Sequence, residues 1–320
     1  MTARSVSTRT DGYAPFGLRT DPGELGLDAV TVSSPIGTAV AHFRRTRPSP
    51  RATIFLHGAA GSWTTWTPLL QAAEEAGITI DNPVLVDLPG WGDATLTPDA
   101  QGGAVTIDAI CALVKDCAEE LGYTEWDVVG HSMGGFIALH MASIWPQCVM
   151  SVGVVSGTGT SIISSLAHPV KNFRVLPAFT MLWKAMVVLG RLGTAGAAPI
   201  RAVRRLGMLR WAVSPLFRYP RRIDLSVVNA LGHELQPRTF ALAASVAQGY
   251  HTEGWRRIEC PVRALNGDND VFSTPTDLRQ LAELVPDCAL TVVSDCGHFA
   301  AIERPVEVLD ALGYTVPLAL

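Results

Sequence analysis

The stretch DVVGHSMGGFIALHMASIW, residues 127–145, decides how the rest of the chain is interpreted. Asp127–His131 is a short apolar run typical of a buried strand, and Met133–Trp145 has the pattern of a helix that a proline ends. Ser132 lies between them, inside the pattern G-x-S-x-G of Gly130–Gly134. A serine on so tight a turn is held in a strained backbone conformation, and the flanking glycines let neighbouring backbone pass close by. The pattern therefore predicts that Ser132 is a nucleophile.

Strand and helix patterns alternate on both sides of this stretch. The predicted strands are Ala29–Ser34, Gly37–Phe43, Ala52–His57, Val84–Asp87, Asp127–His131, Val149–Ser156, Val262–Asn266 and Leu290–Val293. The predicted helices are Thr64–Ala76, Ile107–Leu121, Met133–Trp145, Leu176–Leu189, Arg201–Val213, Ser226–Leu231, Arg238–Gln248, Thr276–Leu284 and Pro305–Leu312. The first two strands indicate an antiparallel hairpin, and the later alternation indicates a parallel sheet with helices on both faces. The predicted fold class is therefore α/β.

Length and composition limit the class of protein. The chain has 320 residues, 48% hydrophobic and 17% charged, which is enough for one large domain with an insertion. A net charge of −4 argues against nucleic acid as a partner. The six cysteines have no C-x-x-C spacing and are typical of apolar filling in a reducing compartment. The first residues lack the apolar run of a secretion signal, and no stretch reaches the ~18 apolar residues of a membrane span, which predicts a cytoplasmic protein.

The distribution of charge divides the chain. Between residues 156 and 235 there are eleven Lys and Arg against two acidic residues, whereas the remainder has 14 basic and 27 acidic residues. The basic region has helical patterns and no candidate strand. We therefore predict an amino-terminal arm (residues 1–28), an α/β core (29–158 and 251–320) and a cationic helical cap inserted into the core (159–250).

A nucleophilic serine needs a base, and the base needs an acid that orients it. His298 follows the last predicted strand, and loops at the carboxyl ends of parallel strands meet at one edge of a sheet, so His298 is the predicted base. The loop Asn266–Asp270 follows another strand and offers two carboxylates. Asp270, deeper in the loop, is the predicted acid, and Asp268 is the alternative. The order Ser132, Asp270, His298 along the chain is the one associated with this kind of serine turn.

Acyl transfer also needs hydrogen-bond donors for the oxyanion that forms in the transition state. The N–H of Met133 follows the nucleophile at the start of a helix and is the predicted first donor. The second donor is expected in the loop His57–Ser62, which follows an earlier strand and is rich in small residues. Here we predict the N–H of Ala59. These assignments use neither a metal ion nor a cofactor.

Taken together, the motifs resemble the α/β-hydrolase superfamily, in its branch with a serine nucleophile and a helical cap. The resemblance rests on His57-Gly58, the segment DLPGWG at 87–92, the serine turn, Gly267–Asp270 and Gly297-His298, and it extends over residues 30–315. It implies an eight-stranded, mostly parallel sheet, a cap after the sixth strand, and Ser-His-Asp catalysis without a cofactor. The dehalogenase and epoxide-hydrolase branches attack through a carboxylate, so a serine at this position does not fit them.

The predicted reaction is hydrolysis of a carboxylic ester, lactone or thioester of a medium-sized apolar substrate through an acyl-enzyme. Phe179 and Trp183 in the apolar run of the cap, and His131 beside the nucleophile, are the candidate substrate contacts. Two alternatives use the same residues: cleavage of a C–C bond in a β-diketone-like substrate, and ligand binding with very slow turnover. The expected partner is a small-molecule substrate, without nucleic acid or an integral membrane, and a homodimer is left open.

Overall fold

The centre of the molecule is a mixed, eight-stranded sheet. A computed structural model describes residues 11–97 and 105–314. The strands are β1 (Asp28–Ser34), β2 (Gly37–Phe43), β3 (Arg51–Leu56), β4 (Pro83–Asp87), β5 (Glu125–His131), β6 (Val149–Val155), β7 (Val262–Gly267) and β8 (Cys288–Val293). Their order in the sheet is β1-β2-β4-β3-β5-β6-β7-β8. All eight predicted strands are present, and each end agrees with the prediction to within two residues.

The direction of the strands brings the functional loops together. β1 and β2 form the predicted antiparallel hairpin, with Ser34 opposite Gly37, and β2 is also antiparallel to β4. The neighbouring pairs from β4 to β8 are parallel, so their carboxyl ends lie along one edge of the sheet. β3 and β5 are adjacent in the middle of the sheet, and the loops after them therefore meet at the centre of that edge. The predicted α/β architecture is confirmed.

Helices cover both faces of the sheet. They are α1 (Thr67–Glu75), α2 (Ile107–Glu120), α3 (Met133–Ile144), α4 (Thr160–Ala167), α5 (Pro177–Arg191), α6 (Ala198–Arg205), α7 (Leu209–Val213), α8 (Leu225–Glu234), α9 (Pro237–Ala247), α10 (Pro275–Leu284), α11 (Ala300–Glu303) and α12 (Pro305–Ala311). Successive side chains of a strand point to opposite faces, so Phe55 of β3 packs in the cluster of α1 and α12, and Ile54 in the cluster of α2 and α3. Within 11–97 and 105–314, no helix combines the length and the apolar character needed to cross a bilayer.

The segment between β6 and β7 is helical. Over 160–250, where every backbone position is described, it contains no strand, and α5, α8 and α9 match three predicted helices. The predicted helix Arg201–Val213 is instead two helices, α6 and α7. Gly207 between them has a φ of +69°, the left-handed conformation with which glycine ends a helix, and the N–H of Met208 donates to the carbonyl of Val203 at 3.0 Å. The exact limits of arm, core and cap stay a prediction.

Helix α4 has no counterpart in the sequence prediction. Its buried side chains, Ile162, Ile163 and Leu166, do follow a helical spacing. The sequence TSIISSLA nevertheless contains three serines and a threonine, and these residues favour turns and caps over helix interiors. Packing of α4 against α9 and α10 supplies the stability that its own propensity lacks.

The six cysteines are all free. Cys111, Cys117, Cys260 and Cys296 are buried, and the other two are half-buried. Burial raises the pKa of Cys117 to about 12, so this thiol stays protonated and behaves as a small apolar group. This agrees with the predicted filling role, while the cytoplasmic location stays a prediction.

Candidate active site

Ser132 occupies the turn between β5 and α3. Its φ of 51° and ψ of −115° lie outside the ordinary regions for an L-residue, so the turn is strained. The flanking glycines are sterically necessary: a Cβ on Gly130 would lie 2.1 Å from the carbonyl oxygen of Gly134, and a Cβ on Gly134 would lie 2.1 Å from the carbonyl oxygen of Leu56. Gly130 therefore lets β5 lie against the first turn of α3, and Gly134 lets that turn pack directly on β3, which together hold the serine at the edge of the sheet.

The predicted oxyanion donors border the same cavity as Ser132. Met133 is the first residue of α3, so its N–H has no acceptor within the helix. In the loop after β3, neither Ala59 nor Ala60 donates its N–H to an acceptor in the described part of the chain. Met133 and Ala59 both line the cavity. Their N–H groups are therefore available to an oxyanion that develops there.

His57 supports the loop that carries Ala59. Its Nε2 accepts the N–H of Leu88 at 3.0 Å, so its proton is on Nδ1, which donates to the carbonyl oxygen of Gly58 at 2.8 Å. Burial lowers the pKa of His57, which keeps the imidazole neutral at neutral pH. His57 thus joins the loop after β3 to the loop after β4.

His298 and Asp270 are hydrogen-bonded to each other. The Nδ1–H of His298 donates to both carboxylate oxygens of Asp270, at 2.9 and 3.0 Å, and both side chains are almost fully buried. Burial raises the pKa of Asp270, but the charge and hydrogen bond of His298 and the N–H of Phe272 at 2.8 Å outweigh it, and the net pKa is lowered. Asp270 is therefore ionised at neutral pH, and the Nε2 of His298 is left to accept a proton.

Asp268, the alternative acid, has different partners. Its oxygens accept the N–H groups of Asp295 and Cys296, both at 3.1 Å. Burial raises the pKa of Asp268, and the hydrogen bonds outweigh this, so the net pKa is lowered. The hydrogen bonds of Asp268 thus order the backbone before His298, whereas those of Asp270 hold its ring.

Glu303 is a fully buried carboxylate that no sequence pattern marks. It accepts hydrogen bonds from four donors: the N–H groups of Gly297 (3.0 Å), Phe299 (3.3 Å) and Arg218 (2.8 Å), and the O–H of Tyr13 (2.7 Å). Burial raises the pKa of Glu303, and the hydrogen bonds oppose this. Because two of its donors directly flank His298, Glu303 fixes the backbone on both sides of that residue. In the sequence it is an ordinary glutamate near a proline.

His131 supports His298 and does not face the cavity. Its Nε2–H donates to the carbonyl oxygen of His298 at 3.0 Å, and its ring centroid lies 4.8 Å from those of His298 and Phe299. Burial and the nearby His298 lower the pKa of His131 to about 3, so the imidazole is neutral. His131 points to the same face of β5 as Val129, which packs with α1 and α12. The contacts of His131 are therefore with the loop of His298, and its predicted substrate contact stays a prediction.

The cavity lies between the edge of the sheet and the helical segment, and it has a volume of about 380 Å³. Its walls are apolar except for Ser132, Thr158 and His298 among the described residues. Small-molecule sites in proteins occupy roughly 300–1,000 Å³, so this cavity suits a medium-sized apolar ligand.

Two residues of α5 were expected at this cavity. Phe179 lines it and packs edge-on against Phe272, whose ring in turn meets that of His298 at 4.9 Å. Trp183 is half-buried and is absent from the described residues that line the cavity, while its neighbour Leu182 is present. Each residue turns a helix by about 100°, which is enough to move a side chain off the wall. Leu182 therefore lies on the described wall of the cavity and Trp183 does not, and which residues contact a substrate stays a prediction.

Among the described residues, one group of side chains has the donor atoms for a metal ion. It consists of His42, Asp87 and Asp93, whose ligand atoms lie within 4.8 Å of one another. Asp87 is fully buried and already accepts the N–H groups of Trp63 at 2.7 Å and Asp93 at 2.9 Å. None of the three side chains is among the described residues of the cavity wall.

A sequence profile described as the alpha/beta hydrolase family matches residues 53–311. The chain belongs to the alpha/beta hydrolase family. It is 21% identical to bifunctional epoxide hydrolase 2 of Rattus norvegicus, in an alignment of 334 positions that covers 93% of this chain and 57% of the rat protein. The chain thus spans little more than half of that relative. It is 24% identical to an sn-1-specific diacylglycerol lipase of Mus musculus over 273 positions, 82% of this chain and 79% of the lipase.

Solved structures agree with this family. A carboxylesterase from Bacillus subtilis has a TM-score of 0.65 over 90% of this alpha/beta hydrolase and 91% of its own chain, at 17% sequence identity. At that identity the likeness shows the fold alone. The named relatives act on different bonds, and the reaction of this alpha/beta hydrolase must be argued from its own residues.

Proposed function

We propose that the protein is a serine hydrolase that cleaves a carboxylic ester, lactone or thioester of a medium-sized apolar substrate. One observation carries the proposal: the strained Ser132 lines the same apolar cavity as His298, whose Nδ1–H is held by the buried, ionised Asp270. A nucleophile, a base and an acid that orients the base are the parts required for covalent acyl transfer.

In the first half-reaction, the Oγ of Ser132 attacks the carbonyl carbon of the substrate while the Nε2 of His298 takes the serine proton. Asp270 stabilises the imidazolium through the hydrogen bonds to Nδ1–H. When the tetrahedral intermediate collapses, the bond to the leaving alcohol or thiol breaks, and His298 gives that group its proton. Water then attacks the acyl-enzyme with His298 as the base, which releases the carboxylic acid and restores Ser132.

The oxyanion of each tetrahedral intermediate is placed at the N–H groups of Met133 and Ala59. Neither group donates to another acceptor within residues 11–97 and 105–314, and Met133 is at the positive end of the α3 dipole. A donor of this kind contributes about 3 kcal/mol to transition-state stabilisation, which is about a hundredfold in rate.

The serine favours an acyl substrate over an epoxide, although an epoxide hydrolase is among the relatives. An epoxide opened by Ser132 would leave an ether on the enzyme, and an ether has no carbonyl carbon for water to attack. A carbonyl substrate leaves an ester, which the same histidine and water can cleave. The substrate type named for the mouse lipase, a glycerol ester, supports this choice.

An active-site-directed phosphonate tests the nucleophile. By intact mass, the wild-type protein is expected to gain one phosphonyl group and the Ser132→Ala variant none. Ser156→Ala is the matched control, because Ser156 also directly follows a strand and has a positive φ, 49°, but is buried and is not a described part of the cavity wall. An adduct on the Ser132→Ala protein would contradict the proposal.

A panel of esters, thioesters and lactones tests the reaction. We expect turnover of apolar substrates, with a loss of at least about 10⁴-fold in kcat on Ser132→Ala substitution. Phosphonate labelling without turnover of any panel member would contradict the ester assignment. Turnover of a β-diketone would then indicate C–C bond hydrolysis, and a persistent adduct would indicate a slow ligand-binding protein.

A further inference from the structure

The outer surface of the helical segment is both apolar and basic. Thirteen large hydrophobic side chains are exposed among the described residues, and ten of them lie between 170 and 225. The stretch 160–223 also contains eleven Lys and Arg and no acidic residue. Isolated exposed apolar residues are ordinary, but their concentration in one segment marks an interaction surface.

Helix α5 carries part of this surface. Met181, Val188 and Leu192 are exposed at positions i, i+7 and i+11, one side of a helix, and the exposed Lys184 and Arg191 flank them. The opposite side of α5 packs inward through Phe179 and Met186. A helix with an exposed apolar stripe bordered by cations is typical of one that lies in a membrane interface.

Helices α6 and α7 join this surface to the cavity. Trp211 is 75% exposed and Leu206 is 72% exposed, whereas Val203 and Leu209 on the same two helices line the cavity. Ala212 is both exposed and part of the cavity wall. The cavity therefore reaches the surface beside Trp211, the type of side chain that prefers the boundary between water and lipid.

Most of the basic charge of this surface has no carboxylate partner among the described residues. The salt bridges that the described residues form here are at its border, where Arg218 pairs with Asp295 and Arg222 with Asp11. The basic groups on the outer sides of α5 and α6 have no described carboxylate within 4.0 Å. This leaves the surface of α5, α6 and α7, which we call the basic apolar face, with a net positive potential.

We propose that the basic apolar face binds the surface of an anionic phospholipid bilayer. The cations of α5 and α6 contact the headgroups, Trp211 and the neighbouring apolar side chains enter the interface, and the mouth at Ala212 opens toward the lipid. The substrate is then an apolar acyl ester dissolved in the bilayer, a statement that rests on the proposed serine hydrolysis; the membrane binding itself does not.

The chemistry of the face favours a bilayer over other occupants. The phosphates of a nucleic acid would pair with the cations, but they would leave the exposed aliphatic side chains without an apolar contact. A second copy that presents the same face would bring two surfaces of like charge together. An anionic bilayer matches both features, since each cation near its surface contributes to binding and each apolar side chain leaves water.

Vesicle co-sedimentation of the full-length Ser132→Ala protein tests the proposal without lipid hydrolysis. We expect binding to mixed phosphatidylcholine–phosphatidylglycerol vesicles, much weaker binding to phosphatidylcholine alone, and weakening as salt rises above about 0.15 M. Arg201→Glu with Arg205→Glu is expected to lower the partition coefficient roughly thirtyfold or more. Trp211→Ser is expected to lower it roughly tenfold.

The matched control is Arg256→Glu with Arg279→Glu, which changes the net charge equally at exposed cations outside the helical segment. It is expected to lower the partition coefficient less than threefold. Equal losses in the two double variants, equal binding to both vesicle types, or no binding would overturn the proposal. A dimer that Arg201→Glu with Arg205→Glu dissociates, without vesicle binding, would also overturn it and assign the face to a second copy.

Hydrolysis of a short water-soluble ester separates this proposal from the proposed function. In a protein that keeps Ser132, the substitutions at Arg201, Arg205 and Trp211 are expected to change the rate of this hydrolysis by less than about twofold relative to wild type. None of these side chains lines the cavity in the described structure. Vesicle binding without ester hydrolysis would support membrane binding and contradict the proposed serine hydrolysis. Ester hydrolysis without vesicle binding would support the serine hydrolysis and contradict membrane binding.

Discussion

Replacement of Glu303 by alanine removes the acceptor for four donors: the buried N–H groups of Gly297 and Phe299, the buried O–H of Tyr13 and the partly buried N–H of Arg218. Each buried donor left without a partner costs about 1–3 kcal/mol. The substitution also removes a carboxylate whose burial is unfavourable, as the raised pKa of Glu303 indicates, and this offsets part of the cost of the unpaired donors. We therefore expect Glu303→Ala to lower the free energy of unfolding by about 3–5 kcal/mol.

Glu303→Gln keeps the volume and one acceptor oxygen but turns an NH₂ group toward some of the same donors. We expect this variant to lose about 2 kcal/mol of stability and to remain folded. Because Glu303 acts through the backbone around His298, kcat should fall about a hundredfold while KM changes little, which a loss of stability alone would not produce.

Urea unfolding and ester kinetics check both values. Glu307→Ala is the matched control, since Glu307 is a partly exposed glutamate of α12 that pairs with Arg304 at 3.6 Å, and it should change stability by less than about 1 kcal/mol. If Glu303→Ala unfolded at the same urea concentration as Glu307→Ala and kept the wild-type kcat, the positioning role of Glu303 would be wrong.

Three further experiments have defined outcomes. Gly134→Ala should destabilise the protein by about 1–3 kcal/mol despite the better helix propensity of alanine, because its Cβ would lie 2.1 Å from the Leu56 carbonyl oxygen. Gly254→Ala should be nearly neutral, because its Cβ would make only an ordinary contact, 3.5 Å from the guanidinium of Arg257, and equal urea midpoints of the two variants would refute this reasoning. Asp270→Asn should lower kcat about 10⁴-fold and Asp268→Asn far less, and the reverse order in ester assays would reassign the acid. Because the pKa of Asp270 is lowered, its ionisation stabilises the fold above the ordinary carboxyl value of 3.8, and this contribution is lost as pH falls through the folded-state pKa. The difference in stability between wild type and Asp270→Asn should therefore shrink as pH falls below about 5 in urea titrations, and a constant difference would contradict this reasoning.

The sequence predicts those features of this protein that follow from local rules. Each strand has its own apolar pattern. β3 is readable as a short continuous apolar run because every residue after Arg51 in it is buried. The serine turn is predictable for a steric reason, since Gly130 and Gly134 have no room for a Cβ. Ser132 and His298 follow directly, because both are at strand ends that a parallel sheet must bring to one edge.

Which side of a helix faces a cavity is harder to predict from the sequence. Trp183 and Leu182 are one residue apart, and only the way α5 lies on the cavity decides which of them reaches it. Tertiary packing likewise decides that the predicted helix Arg201–Val213 is divided at Gly207. It also decides that α4 forms, because other helices pack against it.

The sequence by itself determined the α/β order, the serine turn and the candidate histidine and carboxylates, because strand and helix periodicity and glycine sterics act over a few neighbouring residues. Tertiary structure alone decided that Asp270 and not Asp268 meets His298, 28 residues away, and that Glu303 accepts from Tyr13 across 290 residues. Buried polar groups take the donors that folding brings to them, and no local pattern encodes which distant donors those are.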